Sequence, residues 1–244
     1  MRGGRRLFGM IVALGLPLIA PKPCSAAETL HFLTEDSGKL SYVENGEIKG
    51  IMVDLLREVA RRADIDASFD LLPWKRAYEG ALNDPDTCVF STTMTPDRLP
   101  LFKWAAPMMY NNWALLGLKS RRMRLARLED ARPYVIGVYQ GDAREAYLRQ
   151  RGFTVEPVAR NDLNFTGLEA GRIDLWASSS LAPLLMGPEI ADKVETVLEF
   201  RTVELGLACN MTVPDATIER LNRVLAQVRV ERGLNTSAGP AEDK

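Results

Sequence analysis

The sequence predicts an α/β protein. Three observations carry that expectation. Strand-like and helix-like segments alternate along nearly the whole chain. The one long apolar run stands at the N-terminus, with no second run of that kind behind it. The remainder, about 220 residues, is long enough for one large domain or for two units of about 100 residues each.

The N-terminal run is an export leader. Arg2, Arg5 and Arg6 precede an apolar stretch over residues 7–20, which is followed by Pro21 and the small residues Cys24-Ser25-Ala26-Ala27. A bilayer needs about 20 apolar residues, so the pattern reads as a cleaved secretory signal over residues 1–26 and not as a membrane span. Arg5-Arg6 suits either a general or a twin-arginine route. Removing the leader takes away Arg2, Arg5, Arg6 and Lys22 and no acid, so 31 basic against 32 acidic residues becomes 27 against 32. That mildly acidic balance speaks against nucleic acid or an anionic membrane surface as a partner. One histidine, His31, and no cysteine pair at ligand spacing exclude zinc sites and histidine-based triads, so no metal and no cofactor is expected. Cys88 and Cys209 remain after processing; both lie in apolar, strand-like settings, and a bridge and two buried thiols are equally open.

Along the mature chain, residues 30–34 alternate as a strand. A polar, turn-rich stretch follows to Gly50, and Ile51, Met52, Leu55, Leu56 and Val59 then recur at helical spacing through Arg62. Phe69 and Leu71 alternate as a short strand, and Pro73 suits the first turn of a helix carrying Trp74, Ala77, Tyr78 and Ala81. Residues 87–93 form a strand and Thr95-Pro96-Asp97 a turn or helix start. The second half predicts strands at 113–118, 134–139, 153–155 and 173–177, with helices at 142–151, 162–170 and 181–186. Residues 194–211 form a strand-rich stretch broken near Thr202, and a last helix opens at Pro214 with Ile218, Leu221, Leu225 and Val228 on one face. The basic run 121–127 reads as a solvated surface segment, the tail after Gly233 as disordered, and no internal repeat stands out.

Several motifs stand in a recognisable order. They are Thr34-Glu35-Asp36, Ser41-Tyr42, Asn45-Gly46, Gly50-Ile51-Met52-Val53-Asp54-Leu55-Leu56 and Pro73-Trp74-Lys75-Arg76-Ala77-Tyr78. Thr93-Met94-Thr95-Pro96-Asp97-Arg98, Phe102-Lys103-Trp104 with Pro107, Gly137-Val138-Tyr139-Gln140-Gly141-Asp142 and Gly171-Arg172-Ile173-Asp174-Leu175-Trp176 follow. In this order and spacing the mature chain resembles the extracellular solute-binding proteins of the polar amino-acid type, family 3, in a divergent branch. The resemblance implies a two-lobed, periplasmic-binding-protein-like fold (type II) with two crossovers: lobe 1 at residues 28–109 and 205–244, lobe 2 at 110–204. It also implies a small-molecule ligand in the cleft, periplasmic localisation, a monomer, no catalysis, and delivery to the membrane permease of an ABC transporter.

The resemblance and the residues together nominate a site. Arg98 follows the Thr-Pro-Asp turn, where similar proteins grip the ligand carboxylate with a planar guanidinium; the alternative is a surface arginine paired with Asp97. Ser91 and Thr93 share one strand face before that turn, although strand propensity alone also accounts for them. Trp74 matches a cleft-wall position, or packs a helix start. Glu35 and Tyr42 flank the first loop, which in similar proteins covers the ligand, or lie on an exposed turn. From lobe 2, Asp142 and Ala143 open a helix whose free N–H groups can hold an anion, the alternative being that Asp142 only caps the helix. Trp176 and Ser179 complete the set. Where similar amino-acid-binding proteins carry an aspartate for the α-ammonium, this chain has Ser178-Ser179-Ser180. The charge then falls to Glu35, Asp36 or Asp142, or the ligand is a carboxylate other than an amino acid. Two further readings fit the same fold: a ligand-sensing module for a membrane sensor, and a dehydratase-like enzyme with Glu35 or Asp142 as its acid or base.

Overall fold

The computed structural model describes residues 28–234; the leader at 1–26 and the tail beyond 234 lie outside them. Among these residues the chain forms an eight-stranded mixed sheet flanked by helices. In lobe 1 the order is β1 (Glu28–Thr34), β2 (Tyr42–Glu44), β3 (Glu47–Lys49), α1 (Ile51–Arg62), β4 (Ile65–Leu71), α2 (Trp74–Asn83) and β5 (Thr87–Thr93). A long strand, β6 (Lys103–Leu118), leads into lobe 2, which holds β7 (Ile136–Tyr139), α3 (Ala143–Gln150), β8 (Val155–Val158), α4 (Leu163–Glu169), β9 (Leu175–Ser179), α5 (Ala182–Met186) and α6 (Pro188–Lys193). A second long strand, β10 (Val194–Cys209), returns to lobe 1, and α7 (Asp215–Glu231) closes the chain.

The sheet runs β4-β1-β5-β10-β6-β9-β7-β8. Its left half, β4-β1-β5, is parallel, as is its right half, β9-β7-β8. Antiparallel β10 and β6 join the halves, pairing with each other from Val194↔Leu118 to Cys209↔Lys103. Each half therefore repeats a β–α–β–α–β order that the sequence itself did not betray as a repeat. These are the two crossovers of the expected fold.

Local chemistry explains the elements. Helix α1 buries Met52, Leu55, Leu56 and Val59 of the predicted stripe, together with Val53 and Ala60, against a cluster with Phe32, Phe90 and the apolar face of α7, while Ile51 at its first position is exposed. The turn-rich stretch contains an unforeseen hairpin, β2–β3, turned by Asn45 and Gly46 at φ 54° and 79°. Two successive positive φ values make the tight turn that Asn-Gly favours, since Gly has no Cβ to clash and Asn tolerates the left-handed region. The break expected near Thr202 is absent: β10 runs through it, with register shifts at 196/198, 199/201 and 205/207 that bend the strand without ending it. Lobe 2 has its own apolar clusters, one around Trp113, Ile136, Leu148 and Leu175, the other around Leu116, Phe165, Leu168 and Trp176.

The cysteines, open in the sequence, are bonded: Cys88 on β5 and Cys209 on β10 sit opposite each other and form a fully buried disulfide that closes a separation of 121 residues. Closing a loop of that length removes unfolded-state entropy, and native bridges contribute about 2–5 kcal/mol. Reduction, or the paired substitution Cys88→Ala/Cys209→Ala, is expected to lower unfolding free energy by that order in a denaturant titration, and an unchanged midpoint would count against a stabilising bridge.

Candidate functional site

Between the lobes lies a cavity of about 580 Å³. Its walls come from the carboxyl ends of the parallel strands: Glu35 to Gly38 after β1, Leu71 to Trp74 after β4, Ser91 and Thr93 on β5, Tyr139 and Asp142 after β7, Ala159 to Asp162 after β8, and Ser178 and Ser179 on β9. Loops converge there because parallel strands in one lobe all end on the same edge.

Arg98 is the central cation. The turn that holds it is fixed by the Arg98 N–H donating to the Thr95 carbonyl at 2.9 Å. Its side chain is 93 % buried, with the guanidinium carbon 5.7 Å from the Trp74 ring centroid and 5.0 Å from that of Tyr78. Among the described residues it forms no ion pair, with Asp97 or any other acid; its Nη2 donates instead to the Gly141 carbonyl of lobe 2 at 3.1 Å. A buried guanidinium whose nearest acceptor is a neutral carbonyl keeps most of its capacity for an anion.

The lobes also touch elsewhere. Trp74 Nε1 donates to the same Gly141 carbonyl at 3.1 Å, and the Trp74 backbone N–H, unpaired in the first turn of α2, donates to the Tyr139 hydroxyl at 2.9 Å. Gly38, at φ 62°, lies so close to α5 that a Cβ there would stand 2.4 Å from the Leu185 carbonyl oxygen. Only a residue without a side chain fits both that conformation and that approach.

The acids differ in state. Burial, followed by the charge of Asp142, raises Glu35 to about 8, against the opposing pull of Arg144 and a hydrogen bond from Tyr139. Tyr139 is in turn pushed up to about 12 by burial and by Glu35. Burial works against ionisation of Asp142, yet the Arg144 guanidinium, bidentate at 2.8 and 2.6 Å, and the Arg144 N–H at 2.7 Å hold its carboxyl below the usual range. Asp142 therefore accepts from the N-terminus of α3 and from Arg144 at once. On the outer rim Arg160 pairs with Asp162. Ser91 sits at φ 58° with its hydroxyl buried and unpaired among the described residues, a strained position of the kind found at ligand sites.

Of the nominated residues, Arg98, Ser91, Thr93, Trp74, Glu35, Asp142 and Ser179 line one cavity. Tyr42 stands on hairpin β2–β3, Ala143 is buried inside the first turn of α3, and Trp176 is fully buried behind the lobe 2 wall; none of the three lines the cavity. Sequence reasoning did not nominate Tyr139, Arg144 or Asn161. Tyr139 lay within a motif already singled out and Arg144 directly after the nominated helix start, but only folding shows that their side chains reach the cleft; Asn161, in a polar loop, carried no signal.

The family model for bacterial extracellular solute-binding proteins, family 3, matches residues 32–229. No curated protein matches by sequence. Among solved structures, holo ArgBP from T. maritima is 19 % identical with a TM-score of 0.73, covering 82 % of this chain and 90 % of its own. A histidine kinase sensor domain with similarity to periplasmic binding proteins has 17 % identity and a TM-score of 0.77, with coverage of 84 % and 92 %. The ancestral amino acid-binding protein AncCDT-1, a precursor of cyclohexadienyl dehydratase, has 21 % identity and a TM-score of 0.71, with coverage of 84 % and 91 %.

Two outcomes follow from the geometry. A carboxyl raised in the folded state stabilises that state fully below its unfolded value, near 4.5, and the stabilisation is lost as pH rises through about 8. Glu35→Gln mimics the protonated form, so its unfolding free energy is expected to gain on that of the parent between pH 5 and pH 8; parallel pH profiles in denaturant titrations would contradict this. Gly38→Ala is expected to hold the lobes apart, which small-angle scattering reads as a larger radius of gyration at unchanged secondary structure.

Proposed function

We propose, since the chain belongs to the bacterial extracellular solute-binding proteins, family 3, that it captures a small carboxylate-bearing molecule, an amino acid or related organic acid, between its two lobes in the periplasm, and releases it to the permease of an ABC transporter. The observation that carries this reading is Arg98: a buried guanidinium beside the Trp74 and Tyr78 rings, in no ion pair among the described residues, facing a cavity of ligand size. On this reading the lobes divide at residues 109/110 and 204/205. Near them the sheet changes partners, with β10 pairing β5 from Leu205 onward and β6 pairing β9 from Trp113 onward, so bending between these points opens and shuts the cavity.

Ser91, Thr93 and Ser179 supply hydroxyls beside the carboxylate, and Trp74 supplies an apolar wall. Binding without turnover is the reading that the electrostatics favour. Asp142 is committed to Arg144, and Glu35 is shared with Tyr139, so neither is a free base beside the cavity. The export leader read at residues 1–26 accords with the periplasm, and no helix among the described residues is long and apolar enough to cross a membrane. Tyr42, on its hairpin beside the first loop, suits the face offered to a partner better than the ligand itself.

A thermal-shift screen of amino acids, dicarboxylates, polyamines and small phenolic acids identifies the ligand, because binding to the folded state raises the melting temperature by mass action. With the hit in hand, Arg98→Ala is expected to lose about 2–5 kcal/mol of binding in calorimetry, and Arg98→Lys to recover only part, since an ammonium lacks the planar fork. Unchanged affinity in Arg98→Ala would remove the anchor from this reading.

A further inference from the structure

Asn161 lines the cavity from the loop between β8 and α4. Its carboxamide oxygen accepts from the indole Nε1 of Trp176 at 3.2 Å. An indole nitrogen only donates, so the group 3.2 Å from it must be the oxygen, and Nδ2 is the group left for the cleft. Asn164, on α4, reinforces the arrangement: its Nδ2 donates to the Asn161 carbonyl at 3.3 Å and lies 3.5 Å from Oδ1.

The surroundings are costly for packing alone. Asn164 is 1 % exposed within an otherwise apolar cluster, and its own Oδ1 is buried with no partner among the described residues. A buried unpaired carbonyl is destabilising, and an apolar residue of the same volume would avoid that cost. Room for the Asn164 carboxamide depends on Gly137 of β7, where a Cβ would stand 2.3 Å from Oδ1. Three elements, β7, α4 and β9, thus converge on the orientation of one cavity-lining carboxamide. The charged neighbours leave that wall neutral, since Arg160 is taken up by Asp162.

We infer that Asn161 is a specificity-determining residue that offers an N–H donor to the ligand, that Trp176 and Asn164 are positioning residues that fix its orientation, and that the ligand is a carboxylic acid whose second polar end carries an oxygen acceptor. This rests on the solute-binding reading, with Arg98 taking the first carboxylate from lobe 1. Trp176, which the sequence nominated as a contact, acts through Asn161 instead.

The test is calorimetry on a length-matched series of carboxylic acids whose far end is carboxylate, amide, methyl, ammonium or guanidinium. In the parent protein, oxygen-tipped members are expected to bind at least about tenfold more tightly than methyl-, ammonium- or guanidinium-tipped ones. Asn161→Asp keeps an acceptor for the Trp176 indole but turns an anionic oxygen to the cleft, so it is expected to reverse the order in favour of cationic tips. Trp176→Phe frees the carboxamide and is expected to flatten the ranking while affinity for the methyl-tipped acid stays within about twofold. A cation-tipped acid binding the parent most tightly overturns the inference, as does an Asn161→Asp variant that keeps the parental ranking. If no member of the series binds the parent, the solute-binding reading fails and takes this inference with it.

Discussion

The antiparallel ladder between β6 and β10 is the constraint on which the rest depends. Each strand is 16 residues long, and together they are the connection through which the sheet passes from one lobe to the other. Hydrogen bonds along a ladder resist shear and stretching but allow twist, and the register shifts in β10 concentrate that freedom where pairing is already imperfect. The ladder therefore ties the two lobes to one shared axis. A cavity whose two walls belong to different lobes then has a shape set by a few closing contacts.

Those contacts are chemically economical. One carbonyl, Gly141, accepts from both Trp74 and Arg98, and one hydroxyl, Tyr139, accepts from the first turn of α2. The residues that grip across the cleft also line it, so a solute that draws on Arg98 must share the guanidinium with the opposite lobe or displace it. The acids are graded along the same surface: Asp142 is locked in its charged form by Arg144, while Glu35, in the neighbouring loop, is driven toward its neutral form. Two carboxyls in one cavity thus have separate duties, set by which of them has a permanent cation.

The helices with strong periodicity, α1 and α7 above all, were legible in the sequence because one face of each is buried in a single core. The hairpin β2–β3 was not, because its residues are largely exposed and leave no apolar alternation; only Asn45-Gly46 marked it. The full length of β6 was missed because Lys103 to Asn112 alternate weakly, being stabilised by strand partners far away in sequence. Of the residues that line the cavity, Arg98, Ser91, Thr93 and Asp142 were nominated because they stand beside turns or strand ends with recognisable chemistry. Asn161 was not, since its orientation is dictated by Trp176, 15 residues later, and by a glycine on a third element. Trp176, nominated as a contact, is instead fully buried in the core of lobe 2.

The covalent link between Cys88 and Cys209 has a topological side. The elements of the second lobe all lie between these two positions, so the bridge closes a covalent ring that contains the second lobe, with the two ends of the chain leaving it in the first. A backbone break anywhere in that loop leaves a single covalent particle with its fragments still docked, and they part as separate polypeptides only once the sulfurs are reduced. The second lobe can thus be nicked, opened or exchanged without the chain ends of the first losing each other.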